Sequence, residues 1–167
     1  VKTKRSMLAD AIKTGKFFDN AVQKKAFATA KKNKSSVHFI GLLSDGDIHS
    51  STNNLFALLS MAKNEGITKN AFIHAILDGR DVQERTADIY VEATQVKLAD
   101  IGLGEIATLC GRSYAMDTNK NWDKTARVFT MLVHGEGERA TDAITTIHGS
   151  YLRGINDEST NPGAIVN

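Results

Sequence analysis

The sequence has one cysteine, one proline and no apolar run near the ~20 residues that a bilayer-spanning helix requires. A lone thiol, Cys110, forms no internal disulfide, which fits a reducing compartment and makes the cytoplasm the expected location. The N-terminus carries bases but no apolar segment after them, so no secretory signal is expected. Acidic and basic residues nearly balance, at a formal net charge of +2. No concentrated basic face is therefore available for a nucleic-acid backbone, and neither nucleic acid nor membrane is an expected partner. The runs Lys24-Lys25 and 31–34 read as solvated helix faces. No Gly-x-Gly-x-x-Gly or P-loop motif follows an apolar run, so dinucleotide and nucleoside triphosphate sites lack support. A Gly-x-Ser-x-Gly elbow for a serine nucleophile is also missing. Val1 is not a natural initiator, which leaves open that the chain is an excised piece of a longer protein.

What remains is ordinary globular material. The 167 residues are 41% hydrophobic and 24% charged, enough for one domain with a real core. Apolar residues at helical spacing predict helices over 7–12 and 21–30, joined by a turn at 15–20. Residues 37–43 form a short, nearly continuous apolar run with β-branched and aromatic members, the pattern of a buried strand. A helix over 51–65 follows, with Leu55, Leu58, Leu59 and Ala62 on one face and Gly66 as its stop. The pattern repeats with a strand at 71–77, a helix at 86–101 and a strand at 105–110. Cys110 ends that last run and reads as buried filler. Helices at 122–133 and 140–153 come next, and 156–167, with the single proline Pro162, reads as a loop or the start of a linker. Strand–loop–helix repeats require crossover connections, and crossovers make parallel strands. The expected fold is α/β, a three-layer sandwich with a mainly parallel sheet flanked by helices.

In such sheets ligands sit outside the carboxyl ends of the strands. Those ends lead into three polar loops, 44–51, 78–81 and 111–120, each with glycine where the backbone must turn tightly or approach a ligand. Arg80 and Arg112 stand at corresponding positions after the second and third strands. Two guanidinium forks at one edge suit a phosphate or carboxylate. The bland alternative pairs Arg80 with Asp78 or Asp81, and Arg112 with Asp117. His49 is a group able to donate to an oxyanion or move a proton near neutral pH. Asp81 is placed either to accept from a substrate hydroxyl or to cap the following helix. A rival use of the first loop is metal binding by the alternating Asp45, Asp47 and His49. His38, His74, His134 and His148 fall in strand or helix patterns, where packing is the default.

The loops read Ser-Asp-Gly-Asp-Ile-His-Ser-Ser at 44–51, His-Ala-Ile-Leu-Asp-Gly-Arg-Asp at 74–81 and Cys-Gly-Arg-Ser-Tyr-Ala-Met-Asp-Thr-Asn-Lys-Asn-Trp-Asp-Lys at 110–124. In these segments the chain resembles the substrate-binding (phosphotransferase) domain of cofactor-independent, that is 2,3-bisphosphoglycerate-independent, phosphoglycerate mutase. The likeness extends through residues 17–20, 55–59 and 150–154, and so covers essentially the whole chain in order. The resemblance implies a glycolytic isomerase interconverting 3-phosphoglycerate and 2-phosphoglycerate. It implies that a serine in a separate phosphatase-like domain takes the phosphoryl group, assisted by two manganese ions. The domain seen here would then hold and reorient the glycerate. By matching position, His49, Arg80, Asp81 and Arg112 are the expected substrate contacts, with Asp81 in a supporting catalytic role. Thr118 and Lys120 are further candidates.

Several positions depart from the family pattern. Asp47 replaces a glycine, Ser51 a histidine and Thr118 a substrate arginine, while Asn121 and Lys124 replace two nearby arginines. The family's Arg-Ala-Asp-Arg segment, its metal ligands and its serine are not in the sequence. Residues 1–155 are accordingly expected to be the substrate-binding domain and 156–167 a tail or linker start, with the phosphatase-like domain absent. No metal is expected in this chain, and the chain alone is expected to be inactive. The alternative is a diverged, non-catalytic phosphate-binding or interaction module.

Overall fold

A computed structural model describes residues 3–166. Helix α1 (Lys4–Lys13) is capped by the Thr3 hydroxyl, and a 3-10 turn (Lys16–Asp19) leads into α2 (Ala21–Asn33). The Asn20 side chain accepts from the Val22 and Gln23 amides, filling two of the donors a helix start leaves unpaired. Strand β1 (Val37–Leu42), helix α3 (Thr52–Asn64), strand β2 (Ala71–Leu77), helix α4 (Ala87–Ile101) and strand β3 (Glu105–Gly111) follow in alternation. A single turn, α5 (Arg112–Ala115), leads into α6 (Trp122–His134). The chain closes with β4 (Glu138–Ala140), α7 (Ala143–Leu152), a 3-10 turn (Asp157–Ser159) and β5 (Gly163–Ile165).

The strands form one sheet in the order β1-β2-β3-β5-β4. The β1–β2 and β2–β3 pairs are parallel, as the crossover argument requires; β5 is antiparallel to β3 and parallel to β4. Alternate residues of β2, namely Ala71, Ile73, Ala75 and Leu77, are buried in a core with Leu59 and Ala62 of α3, Val91 and Leu98 of α4, and Ile147 of α7. Leu109 of β3 belongs to this core. Alternation then turns Cys110 to the opposite face. Helix α6 lies against β3 and buries Met131 outside that main core. The sheet is thus flanked by helices.

Two expectations need correction. The tail from 156 is not a loop or linker: it supplies a 3-10 turn and β5, and the Gly111 amide donates to the Thr160 carbonyl at 2.8 Å. The last long helix starts at Ala143 rather than Ala140, because the Asp142 carboxylate accepts from the Thr145 amide at 2.7 Å and so caps it. The three residues before the cap region pair with β5 instead. Strands of three residues are too short to show alternation, and their pairing spans more than twenty residues of sequence.

Candidate active site

The carboxyl ends of β1, β2 and β3 deliver three loops to one edge of the sheet, and these loops are bound together by charge. Asp78 is the first residue after β2, with a side chain only 1% exposed. Its Oδ2 accepts from Ser44 at 2.5 Å. Its Oδ1 accepts from the amides of Arg80 and Asp81 at 3.1 and 3.0 Å, and from Arg112 Nη1 at 2.6 Å. Asp78 therefore folds its own loop and anchors the other two. Burial pushes its pKa up, but the hydrogen bonds from Ser44, the Asp81 amide and Arg112 outweigh that, holding it below the usual carboxylate value.

Arg112 begins α5 with its side chain 7% exposed, and Nη1 also reaches Asp81 Oδ1 at 3.0 Å. Burial disfavours its charge, yet the two carboxylates more than compensate and its pKa is raised. Asp81 is nearly buried and its second oxygen, Oδ2, lies 2.6 Å from His49 Nδ1. Burial again opposes ionisation, and His49 and Arg112 reverse it, lowering the Asp81 pKa. A carboxylate at Nδ1 fixes the imidazole orientation and leaves Nε2 as the working nitrogen of the half-exposed His49 ring. Gly46 lets the first loop lie directly on the second: a Cβ there would meet Asp81 Cβ at 2.8 Å. His49 is thereby brought to Asp81 across 32 residues of sequence.

Arg80 behaves differently. Its side chain is 68% exposed and pairs with Glu158, at 2.9 Å from Nη2 to Oε2. Both bland pairings were thus misplaced: Arg80 meets neither Asp78 nor Asp81 through its side chain, and Arg112 does not meet Asp117. Asp117 accepts instead from the amides of Asn119 and Asn121, shaping its own loop. Asp81 does not cap α4; Asp157 accepts from the Thr86 amide there, at 3.1 Å, and from the Tyr151 hydroxyl. Thr118 and Lys120 lie exposed on the third loop.

The three alternating residues of the first loop diverge. Asp45 accepts from the Tyr90 hydroxyl at 2.5 Å, Asp47 pairs with Arg5 Nε at 3.5 Å, and His49 turns to Asp81. Among the described residues no group of three His, Cys, Asp or Glu side chains is placed to hold a metal ion. His38 and His74 stack with ring centroids 5.2 Å apart, and His74 Nδ1 meets Thr108 Oγ1 at 2.9 Å. Burial of the Cys110 thiol pushes its pKa up to about 12, leaving it inert at neutral pH. A cleft of about 710 Å³ lies at the other end of the strands, lined by Asn70, Ala71, Gly104 and Glu105. It has no comparable convergence of charge, so the carboxyl edge remains the candidate site.

A carboxylate-oriented histidine beside a buried arginine, with a second arginine open to water, suits a small anionic ligand bearing a hydroxyl. A family model described as BPG-independent PGAM N-terminus (iPGM_N) matches residues 8–167. The chain belongs to this family.

Relatives of this chain include the 2,3-bisphosphoglycerate-independent phosphoglycerate mutases of Lachnoclostridium phytofermentans, 41% identical over 155 residues, and Listeria welshimeri, 44% identical. Each alignment covers 93% of this chain and 30% of the relative. The chain thus spans about 30% of the length of these curated relatives. Among solved structures, a phosphoglycerate mutase of Leishmania mexicana, described at low cobalt concentration, superposes with a TM-score of 0.90 at 27% identity. That match covers 98% of this chain and 31% of the other. The sequence pattern points to the loops holding His49, Arg80, Asp81 and Arg112. It missed Ser44 and Asp78 as the hub and Glu158 as the partner of Arg80. Ser44 and Asp78 each directly follow an apolar run, a position that signals the carboxyl edge. Nothing local in the sequence signalled the pairing of Glu158 with Arg80, because the turn around it is ordered by contacts distant in sequence.

Proposed function

We propose that this chain is the substrate-holding domain of a glycolytic isomerase that interconverts 3-phosphoglycerate and 2-phosphoglycerate. The observation that carries the reading is the network of buried Arg112, Asp78 and Asp81 with the half-exposed His49, beside the exposed Arg80. Arg80 supplies open N–H donors to the carboxylate or phosphate of the ligand. Arg112, neutralised in part by two carboxylates, holds the site's shape and contributes positive potential from behind. Asp81 keeps His49 oriented, and His49 Nε2 accepts from or donates to a glycerate hydroxyl as the ligand reorients. Thr118 and Lys120 flank the ligand on the third loop. Phosphoryl transfer itself belongs to a serine and two manganese ions in a separate phosphatase-like domain, the chain's proposed partner. A cytoplasmic location accompanies this role. No described helix is long and apolar enough to cross a membrane.

Amide chemical-shift titration with 3-phosphoglycerate tests the reading. Shifts should cluster in residues 44–51, 78–81 and 111–118 and shrink in Arg80→Ala. Shifts confined to other surfaces would place the ligand elsewhere and remove the proposed role.

A further inference from the structure

The glutamate facing Arg80 comes from a segment that the protein holds firmly. Asp157, fully buried, is tied to the Thr86 amide and the Tyr151 hydroxyl. The Thr160 amide returns to the Asp157 carbonyl at 3.2 Å, and the Thr160 carbonyl takes the Gly111 amide. The fit against the third loop is close enough that a Cβ on Gly111 would overlap the Glu158 carbonyl oxygen. The backbone of residues 157–160 is thus seated between the second and third loops, at the edge where the anion is proposed to bind. From this fixed position Glu158, itself mostly shielded, reaches Arg80 through one oxygen to one nitrogen.

We infer that Glu158 is a positioning residue that holds the Arg80 guanidinium in the ligand-free protein and yields it to the anionic substrate. The inference rests on the functional reading above and adds to it how the open arginine is kept in place. A carboxylate of the protein stands where a carboxylate or phosphate of the ligand would stand. Binding is then an exchange: Arg80 leaves one anion for another, and a ligand with more negative charge wins that exchange more readily. Glu158 keeps a mobile, exposed side chain near its working position, which reduces the ordering cost of binding. The same carboxylate competes with the ligand and repels it. An exposed ion pair is worth roughly 0.2–1 kcal/mol, so removing the competitor should change affinity by about 1.4-fold to fivefold.

Titrating 3-phosphoglycerate into the chain, Glu158→Gln, Arg80→Ala and the double variant tests this, with ¹⁵N relaxation of the Arg80 Nε read in the free proteins. The expected result is affinity about 1.4-fold to fivefold tighter in Glu158→Gln, a gain that disappears when Arg80 is alanine. Arg80 Nε should also become more mobile in ligand-free Glu158→Gln. Unchanged or weaker binding in Glu158→Gln, with Arg80→Ala still weakening the wild type, would sink the inference while leaving the functional reading intact. An affinity insensitive to Arg80→Ala would instead remove Arg80 from the functional reading. In that event the exchange of anions at Arg80 fails too, and the inference is overturned whatever the Nε mobility. Gln is nearly isosteric with Glu, and the anchoring contacts of the segment come from its neighbours, so the variant keeps the fold.

Discussion

Arg80 and Arg112 follow equivalent strands and carry the same group, but their surroundings give them different work. Arg112 is packed against Asp78 and Asp81, and removing it would leave two buried carboxylates without their cation. Arg112→Ala should cost about 3–5 kcal/mol of folding stability, a large part of what a domain this size has. Arg80→Ala, at an exposed single contact, should cost under about 1 kcal/mol. Urea denaturation of both variants checks the contrast; equal losses would mean that the two arginines share one environment. The departures at Asp47 and Thr118 also separate. Asp47 lies at φ 56° and its charge is already matched by Arg5, whose Nη1 also donates to the Asp47 carbonyl. Asp47→Gly should therefore alter 3-phosphoglycerate affinity by less than about twofold. Thr118→Arg adds a charged donor on an exposed loop. After the entropy of ordering that side chain, a gain of about fivefold is expected. Calorimetric titration of the two single variants distinguishes them, and a larger effect from Asp47→Gly would show that the Arg5 pair does not screen the site.

At the scale of elements, the carboxyl edge depends on a close approach between β3 and the 3-10 turn Asp157–Ser159. Gly111 has an ordinary negative φ of −69°, so alanine there meets no backbone penalty, only crowding. The obstructing atom is the Glu158 backbone carbonyl, which cannot swing aside as a side chain would. Gly111→Ala should destabilise the fold by about 2 kcal/mol or more and weaken ligand binding with it, as read by thermal melts and the same titration. A variant as stable as the wild type would mean that the turn is free to withdraw. The long elements were legible because helices such as α3 and strands such as β2 bury one face, and burial imposes a period on sequence. The pairings of β4 and β5 were not legible. Their few residues are ordered by each other and by β3, not by any pattern of their own.

The whole molecule should register the buried carboxylates through its acid stability. Asp78 and Asp81 have folded pKa values below their unfolded ones, so each contributes stability that is fully present above the unfolded value near 4. That stability is lost as pH falls through the lower folded values. His74 adds an earlier step. Burial, and then the neighbouring His38, lower its pKa, so the unfolded chain takes up its proton first and stability declines as pH drops below about 6.5. Urea midpoints from pH 7.5 to 3 should show a shallow decline followed by a steep one, with the shallow part reduced in His74→Gln. A midpoint flat to pH 3 would contradict the carboxylate network. Under the proposed function, catalysis belongs to a larger assembly than this chain. A coupled assay of the purified chain should show no mutase turnover at any manganese concentration, because the nucleophile and the ions that stabilise the moving charge are assigned to another domain. Metal-dependent turnover by this chain alone would refute that division.

The sequence by itself determined the parallel α/β order and the three loops, since crossover connections and strand ends follow from local hydrophobic period. It also singled out His49, Arg80, Asp81 and Arg112 as candidates through their loop motifs. Tertiary structure alone decided which charges meet. Opposite charges pair according to distance in space, and at this site the pairs join residues 31 to 78 positions apart, as in Arg112 with Asp81 and Arg80 with Glu158. Local pattern fixes where a strand ends, but only the packed sheet fixes which strand ends lie side by side.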